Sequence, residues 1–91
     1  MPIATQLLIN SDRLEKSIIE LAQIGHLAGG GVSRLAFSPE DWQARQLVRQ
    51  WMESSGMTVR IDAAGNLIGR YPGKKDGLGV LATGSHIDTV A

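Results

Sequence analysis

The residue types best suited to chemistry stand together near one end of the sequence, in the segment 84–90, GSHIDTV. In extended backbone, residues two apart lie on the same face, so Asp88 can approach the imidazole of His86. A carboxylate on one ring nitrogen fixes the tautomer and makes the other nitrogen a better metal ligand. The spacing thus suggests His86 as a metal ligand and Asp88 as its orienting carboxylate. By itself a His-x-Asp pattern is weak, and an incidental histidine at the end of a surface strand accounts for it better.

Three glycine-rich segments resemble phosphate-binding loops without meeting their requirements. Residues 77–82 match a relaxed dinucleotide fingerprint, but that motif must follow a strand and open a helix, whereas these residues are themselves a predicted strand. Residues 69–75 have one residue too few between their glycines for a Walker loop, and Lys75 stands where Ser or Thr should bind magnesium. The run 29–31 could form an anion nest but is more typical of a flexible connector.

Four other side chains have simpler structural explanations. His26, near the end of the predicted first helix, is expected to complement the helix dipole or lie on the surface rather than bind metal. Arg34 is expected to meet a carboxylate or to belong to a structural pair. Trp42 lies off the main apolar stripe of the second helix, which favours packing over substrate stacking. Asn66 is most simply a turn residue.

Two helices must precede the segment that carries His86. The first is predicted over residues 12–28, with Asp12 and Glu15 as a capping box, and the glycine run ends it. The second starts more sharply, because Ser38 can cap it and a proline occupies the first helical position. Gly56 ends this helix, whose apolar residues form one continuous stripe.

Three strands are predicted after the helices. Residues 57–62 alternate between apolar and polar, as a half-buried strand requires, and a turn at 63–66 leads into a returning strand at 67–71. The third strand, 78–83, does not alternate, which is typical of a strand covered on both faces. The order predicts an α/β fold, with two helices on one side of a short mixed or antiparallel sheet.

Composition restricts the class of protein. The 91 residues are 43% apolar and carry nine basic and nine acidic side chains, so one domain without a basic face is expected, which argues against a nucleic-acid partner. The absence of cysteine excludes disulfides and thiolate metal sites and fits a cytoplasmic location. Residues 1–16 lack the basic region and cleavage site of a secretory signal, and no apolar run is long enough to span a membrane.

The segment 84–90 resembles the first metal-ligand motif of the M20 metallopeptidase clan, in the amidase branch that contains N-carbamoyl-L-amino-acid hydrolases, allantoate amidohydrolases and β-ureidopropionases. Three further stretches are similar to that branch in order and spacing. The first is residues 30–38 (GGVSRLAFS), a segment that ordinary M20 peptidases lack. The second consists of Asp41, Ala44 and Arg45, followed by Trp51 and Met52. The third is the hairpin 62–70 (DAAGNLIGR). The match covers nearly the whole chain from about residue 10.

The resemblance implies the opening part of a zinc-peptidase-like (phosphorylase/hydrolase-like) α/β domain. In that family two Zn²⁺ ions, or Mn²⁺, Ni²⁺ or Co²⁺ in several members, activate a water that attacks a ureido or amide carbonyl, with a glutamate as general base. Carried over by position, His86 is the first metal ligand and Asp88 the catalytic-site carboxylate that orients it. The implied substrate is an N-carbamoyl-L-amino acid, with allantoate as the alternative, and the implied parent enzyme is a homodimer.

The remaining ligands of the family lie beyond Ala91, as does its dimerisation domain. Residues 1–91 are therefore expected to be one incomplete N-terminal portion of a catalytic domain. A catalytic zinc site needs about three protein ligands, so the isolated chain is expected neither to catalyse nor to bind metal tightly. It is then a truncated or split-gene product acting only as a structural or binding piece. The third predicted strand is expected to expose apolar surface or to cover it by self-association.

Overall fold

The structure, a computed structural model, describes residues 7–91. Its elements are helix α1 (Ser11–Ala22), helix α2 (Pro39–Ser54), strand β1 (Thr58–Ile61) and strand β2 (Leu67–Arg70). The two strands form an antiparallel sheet, which confirms the predicted α/β arrangement of two helices with a short sheet. Neither helix within residues 7–91 is long and apolar enough to cross a membrane. Residues 1–6, part of the stretch compared above with a secretory signal, lie outside the described residues.

Helix α2 begins as predicted. The Ser38 hydroxyl oxygen accepts a hydrogen bond from the Asp41 amide at 3.1 Å, and Pro39 follows the cap. The Asp41 carboxylate in turn accepts from the Phe37 amide at 2.9 Å, which fixes the residue before the cap to the first turn of the helix. The helix ends just before Gly56, whose φ of 90° suits glycine. Every bond of this start joins residues within four positions, which is why sequence predicted it.

Helix α1 is shorter than predicted, and its cap is different. Asn10 caps it by accepting a hydrogen bond from the Arg13 amide at 3.0 Å, so the predicted capping box of Asp12 and Glu15 is wrong. The helix ends at Ala22 because the chain turns at Gly25 (φ +82°) into a tight hairpin in which His26 pairs with Val32. The glycine run 29–31 forms the tip of this hairpin, where pairing between the two arms replaces the last predicted helical turns.

The hairpin of β1 and β2 pairs Thr58 with Arg70 and Ile61 with Leu67, and α2 packs against both strands. Asp62 organises the connecting loop, since its carboxylate accepts hydrogen bonds from the Ala64 amide at 3.0 Å and the Asn66 amide at 2.8 Å. The Asn66 side-chain amide donates to the same carboxylate at 2.9 Å. This confirms Asn66 as a turn residue, and its hydrogen bond is the main reason that the pKa of Asp62 is lowered.

The third predicted strand is not formed within residues 7–91, where the sheet consists of β1 and β2. A strand needs a neighbour for its backbone donors and acceptors, and no described segment pairs with residues 78–83. Its apolar side chains are consequently exposed, with Leu81 99% accessible. The predicted exposure of apolar surface is thereby confirmed. Ala44 on α2 is the one fully buried apolar side chain in the described part of the chain.

Candidate functional site

A shallow cleft of about 290 Å³ separates α2 and the β1–β2 loop from the segment that carries His86 and Asp88. Its polar lining comes from all three sides, namely Asp41, Arg45, Asn66, Ser85, His86 and Asp88. This volume lies near the lower limit for small-molecule pockets, and a few polar groups converge on it. The structure thus brings two sequence-predicted site residues to the edge of one cleft.

His86 and Asp88 are joined as the spacing predicted. The His86 Nδ1 atom lies 3.2 Å from the Asp88 carboxylate Oδ1 and 3.0 Å from the Asp88 main-chain oxygen. A main-chain oxygen can only accept a hydrogen bond, so Nδ1 must carry the proton in this arrangement. In the neutral ring the lone pair is then on Nε2, which has no hydrogen-bond partner among residues 7–91.

This geometry suits one metal ligand and its supporting carboxylate. The His86 side chain is 79% exposed and lines the cleft, while Asp88 holds the Nδ1 edge of the ring. Within residues 7–91, however, no three His, Cys, Asp or Glu side chains come close enough to hold a metal ion together. The described residues therefore offer His86 as one candidate ligand and no complete set of metal ligands.

His26 and Trp42 take no part in this cleft. His26 lies in the hairpin that follows α1, opposite Val32, and lines a second shallow depression on another part of the surface. Trp42 is 65% exposed on α2, so the predicted packing of its ring is not made by the described residues. Neither residue lies near enough to His86 to act with it as a second metal ligand.

Of the two alternatives for Arg34, the structure contradicts a carboxylate partner within the described residues and gives the side chain a structural role through main-chain oxygens. Nε and Nη2 donate to the main-chain oxygen of Ile24 at 3.2 and 2.9 Å, and Nη2 also donates to that of Leu21 at 2.7 Å. Nη1 donates to the main-chain oxygen of Ile87 at 2.8 Å. Arg34 thus joins the end of α1 to the segment that carries His86.

Two features of the cleft escaped sequence reasoning. Phe37 has a φ of +65°, a conformation that residues with a side chain rarely adopt, and its exposed ring lies over the backbone of Gly65. Arg45 of α2 donates a hydrogen bond to the Gly65 main-chain oxygen and so fixes the β1–β2 loop to the helix. Both residues stand in stretches that resemble the amidase branch, but the sequence does not indicate these contacts, because glycine or asparagine is the usual residue at positive φ and arginine has many possible partners.

The fold matches a segment of a known amidase. A crystal structure of a hydantoinase/carbamoylase family amidase from Burkholderia ambifaria superposes with a TM-score of 0.85 at 42% sequence identity, over 89% of this chain and 20% of that one. The architecture described above therefore matches a fragment of that amidase's fold.

Sequence comparison identifies amidohydrolases as relatives of this chain. An N-carbamoyl-L-amino acid amidohydrolase of Geobacillus stearothermophilus is 42% identical over 83 residues, 91% of this chain. An allantoate amidohydrolase of Bacillus subtilis is 46% identical over 70 residues, 77% of this chain. The chain is a homologue of these amidohydrolases and spans about one fifth of their length, 20% and 17% respectively. No protein-family model matches it.

Proposed function

We propose that this chain contributes one metal ligand and one side of the substrate cleft to a metal-dependent amidohydrolase that cleaves linear amide or ureido C–N bonds. The observation that carries the proposal is the orientation of the His86 ring, which directs an available Nε2 away from Asp88 at the edge of the cleft. An imidazole held in this way is the usual form of a metal-ligating histidine. The similarity to carbamoyl-amino-acid and allantoate amidohydrolases supplies the class of reaction.

In the proposed role, His86 binds a divalent cation through Nε2, and Asp88 holds the ring by accepting the hydrogen bond of Nδ1. When bound, the cation polarises the substrate carbonyl and lowers the pKa of a water so that it can attack as a nucleophile. Asp88 also favours the tautomer with the proton on Nδ1, which leaves Nε2 available to bind the cation. Zn²⁺ is the cation we favour, with Mn²⁺, Ni²⁺ and Co²⁺ as alternatives.

An N-carbamoyl-L-amino acid is the substrate that we favour, because relatives acting on such compounds match 91% of this chain at 42% identity. Allantoate is the second candidate, supported by a relative that is 46% identical over a shorter stretch. Both compounds carry a ureido group, so the same metal-assisted attack serves either one.

The 91 residues by themselves are proposed to be inactive, because a single histidine ligand cannot hold a catalytic cation tightly. On this reading the isolated chain is a structural or binding piece. Purified chain with added Zn²⁺ or Mn²⁺ should therefore show no hydrolysis of N-carbamoyl-L-amino acids above background. Turnover that depends on His86 would contradict this part of the proposal.

The proposed role of His86 can be tested in a complete enzyme. Residues 7–91 would replace the matching segment of the Geobacillus stearothermophilus relative, and hydrolysis of N-carbamoyl-L-amino acids and of allantoate would be measured together with the bound metal content. The chimera should be active, H86A should lose activity and part of its metal, and D88N should retain metal more weakly. His26→Ala is the matched control, because it removes a histidine that lies away from the cleft. An active chimera whose metal content and rate are unchanged by H86A would refute the proposal.

A further inference from the structure

We infer that Arg34 is a positioning residue, whose buried guanidinium fixes the backbone of residues 87–89 to the end of α1 and so determines where His86 points. The structural part of this inference stands on hydrogen bonds alone. Its consequence for metal binding rests on the proposed function of His86.

The first step is the set of acceptors that Arg34 selects. Two of its three main-chain partners, Leu21 and Ile24, lie at and just beyond the last turn of α1, where carbonyl groups lack the donor four residues ahead; the Leu21 oxygen also accepts from the Ile24 amide at 3.2 Å. The partial negative charge of a helix C-terminus favours a cation at this position, and the last turn of α1 contains no basic residue of its own. Arg34 supplies that cation from outside the helix.

The second step is the connection to the segment that carries His86. Besides the bond from its guanidinium to Ile87, the Arg34 amide donates to the Thr89 hydroxyl oxygen at 2.7 Å. The Thr89 amide donates back to the Arg34 main-chain oxygen, also at 2.7 Å. Residue 34 therefore holds the chain immediately before and immediately after Asp88.

The third step leads from Asp88 to the imidazole. Both partners of His86 Nδ1 belong to Asp88, one in its side chain and one in its backbone. Because the main-chain oxygen of Asp88 cannot move independently of Ile87 and Thr89, the ring takes its orientation from a backbone that Arg34 holds. The exposed imidazole has no other hydrogen bond within residues 7–91 to keep it in place.

The chemistry of the side chain explains why arginine is needed. Arg34 is 5% exposed and donates four hydrogen bonds in two directions, which the planar guanidinium fork can do and an ammonium group on a single stem cannot. Lysine at this position would keep the positive charge but would reach either the end of α1 or Ile87. Arg34→Lys thus keeps the positive charge but removes the hydrogen bonds in two directions, so it distinguishes the effect of the charge from the effect of the hydrogen-bond geometry.

The test uses the complete 91-residue chain labelled with ¹⁵N, with Arg34→Lys, Arg34→Ala and the control Ser38→Ala. Ser38→Ala removes the cap of α2, and so lowers stability, without touching residues 86–89. The two readouts are amide hydrogen exchange at Thr89 and the ring ¹⁵N shifts of His86, recorded at mildly alkaline pH where an imidazole is neutral. The ring shifts report which nitrogen carries the proton, a property that a general loss of stability would not select.

Both Arg34 variants should increase exchange at Thr89 by about tenfold or more relative to Ser38→Ala, as expected when a charge-assisted hydrogen bond is lost. They should also change the His86 ring from the Nδ1–H tautomer to a mixture. Thr89→Val, which keeps Arg34 and removes its hydroxyl partner, should give a smaller change of the same kind. If the Arg34 variants exchange the Thr89 amide no faster than Ser38→Ala does, or if they leave the His86 tautomer unchanged, the inference is overturned.

The metal content of the chimera described above separates this inference from the proposed function. Metal lost on H86A supports His86 as a ligand, and metal content and activity that H86A leaves unchanged contradict the proposed metal role. The exchange and tautomer measurements need no metal, so they decide the role of Arg34 in either case.

Discussion

Replacing Gly25 with alanine should destabilise the chain by disrupting the turn between α1 and Arg34. Gly25 has a φ of +82°, and a Cβ there would overlap the Ser33 main-chain oxygen and lie 3.2 Å from the Ser33 carbonyl carbon. The colliding atoms belong to backbone, so no side chain can rotate away. Ser33 must move instead, although its amide donates to the Gly25 main-chain oxygen at 2.9 Å.

The magnitude follows from two contributions. Alanine in the left-handed region costs about 1–2 kcal/mol, and weakening the hydrogen bond between Ser33 and Gly25 costs about 0.5–1.5 kcal/mol more. Gly25→Ala should therefore lower the free energy of unfolding by about 1.5–3.5 kcal/mol. Because Ser33 directly precedes Arg34, and Ile24 accepts two hydrogen bonds from Arg34, the displacement should also disturb the Arg34 contacts.

The matched control is Gly31→Ala. Gly31 has a nearly equal φ of +80°, but a Cβ there meets nothing within 4 Å, so its substitution measures the backbone strain alone. Urea unfolding followed by circular dichroism should show Gly25→Ala to be less stable than Gly31→Ala by at least about 0.5 kcal/mol, the value of a lost hydrogen bond. Equal losses in the two variants would refute the reasoning, since the collision with Ser33 would then have no energetic effect.

Two further predictions concern the β1–β2 loop and the exposed segment 78–82. The pKa of Asp62 is lowered in the folded loop, so the ionised carboxylate stabilises the fold above the unfolded pKa, and this stability is lost as pH falls through the folded pKa. Asn66→Ala should raise the folded pKa of Asp62, measured by a ¹³C carboxyl titration. An unchanged pKa would contradict the role of Asn66. The segment exposes Leu78 (70%), Val80 (75%) and Leu81 (99%), so light scattering should detect concentration-dependent association that Leu81→Asp weakens. A wild-type chain that stays monomeric at high concentration and binds no apolar-surface dye would count against this.

The candidate site was predictable where its contacts are local. His86 and Asp88 are two residues apart, and extended backbone places such residues on one face, so their hydrogen bond could be anticipated from spacing. The loop between β1 and β2 was similarly predictable, because glycine and asparagine are typical of such turns. The cleft itself was not predictable, since it exists only where α2, this loop and residues 85–88 approach one another.

The sequence by itself determined the start of α2, the turn between β1 and β2 and the pairing of His86 with Asp88, because each depends on hydrogen bonds between residues at most a few positions apart. Only the tertiary structure decided the role of Arg34, whose partners lie 10 to 55 positions away in the chain. Contacts between distant segments also decided the length of α1 and the conformation of residues 78–83. The hairpin of His26 and Val32 shortened α1, and residues 78–83 formed no strand because no described strand lies beside them. Long-range pairing depends on which segments meet in space, a property that local residue preferences do not specify.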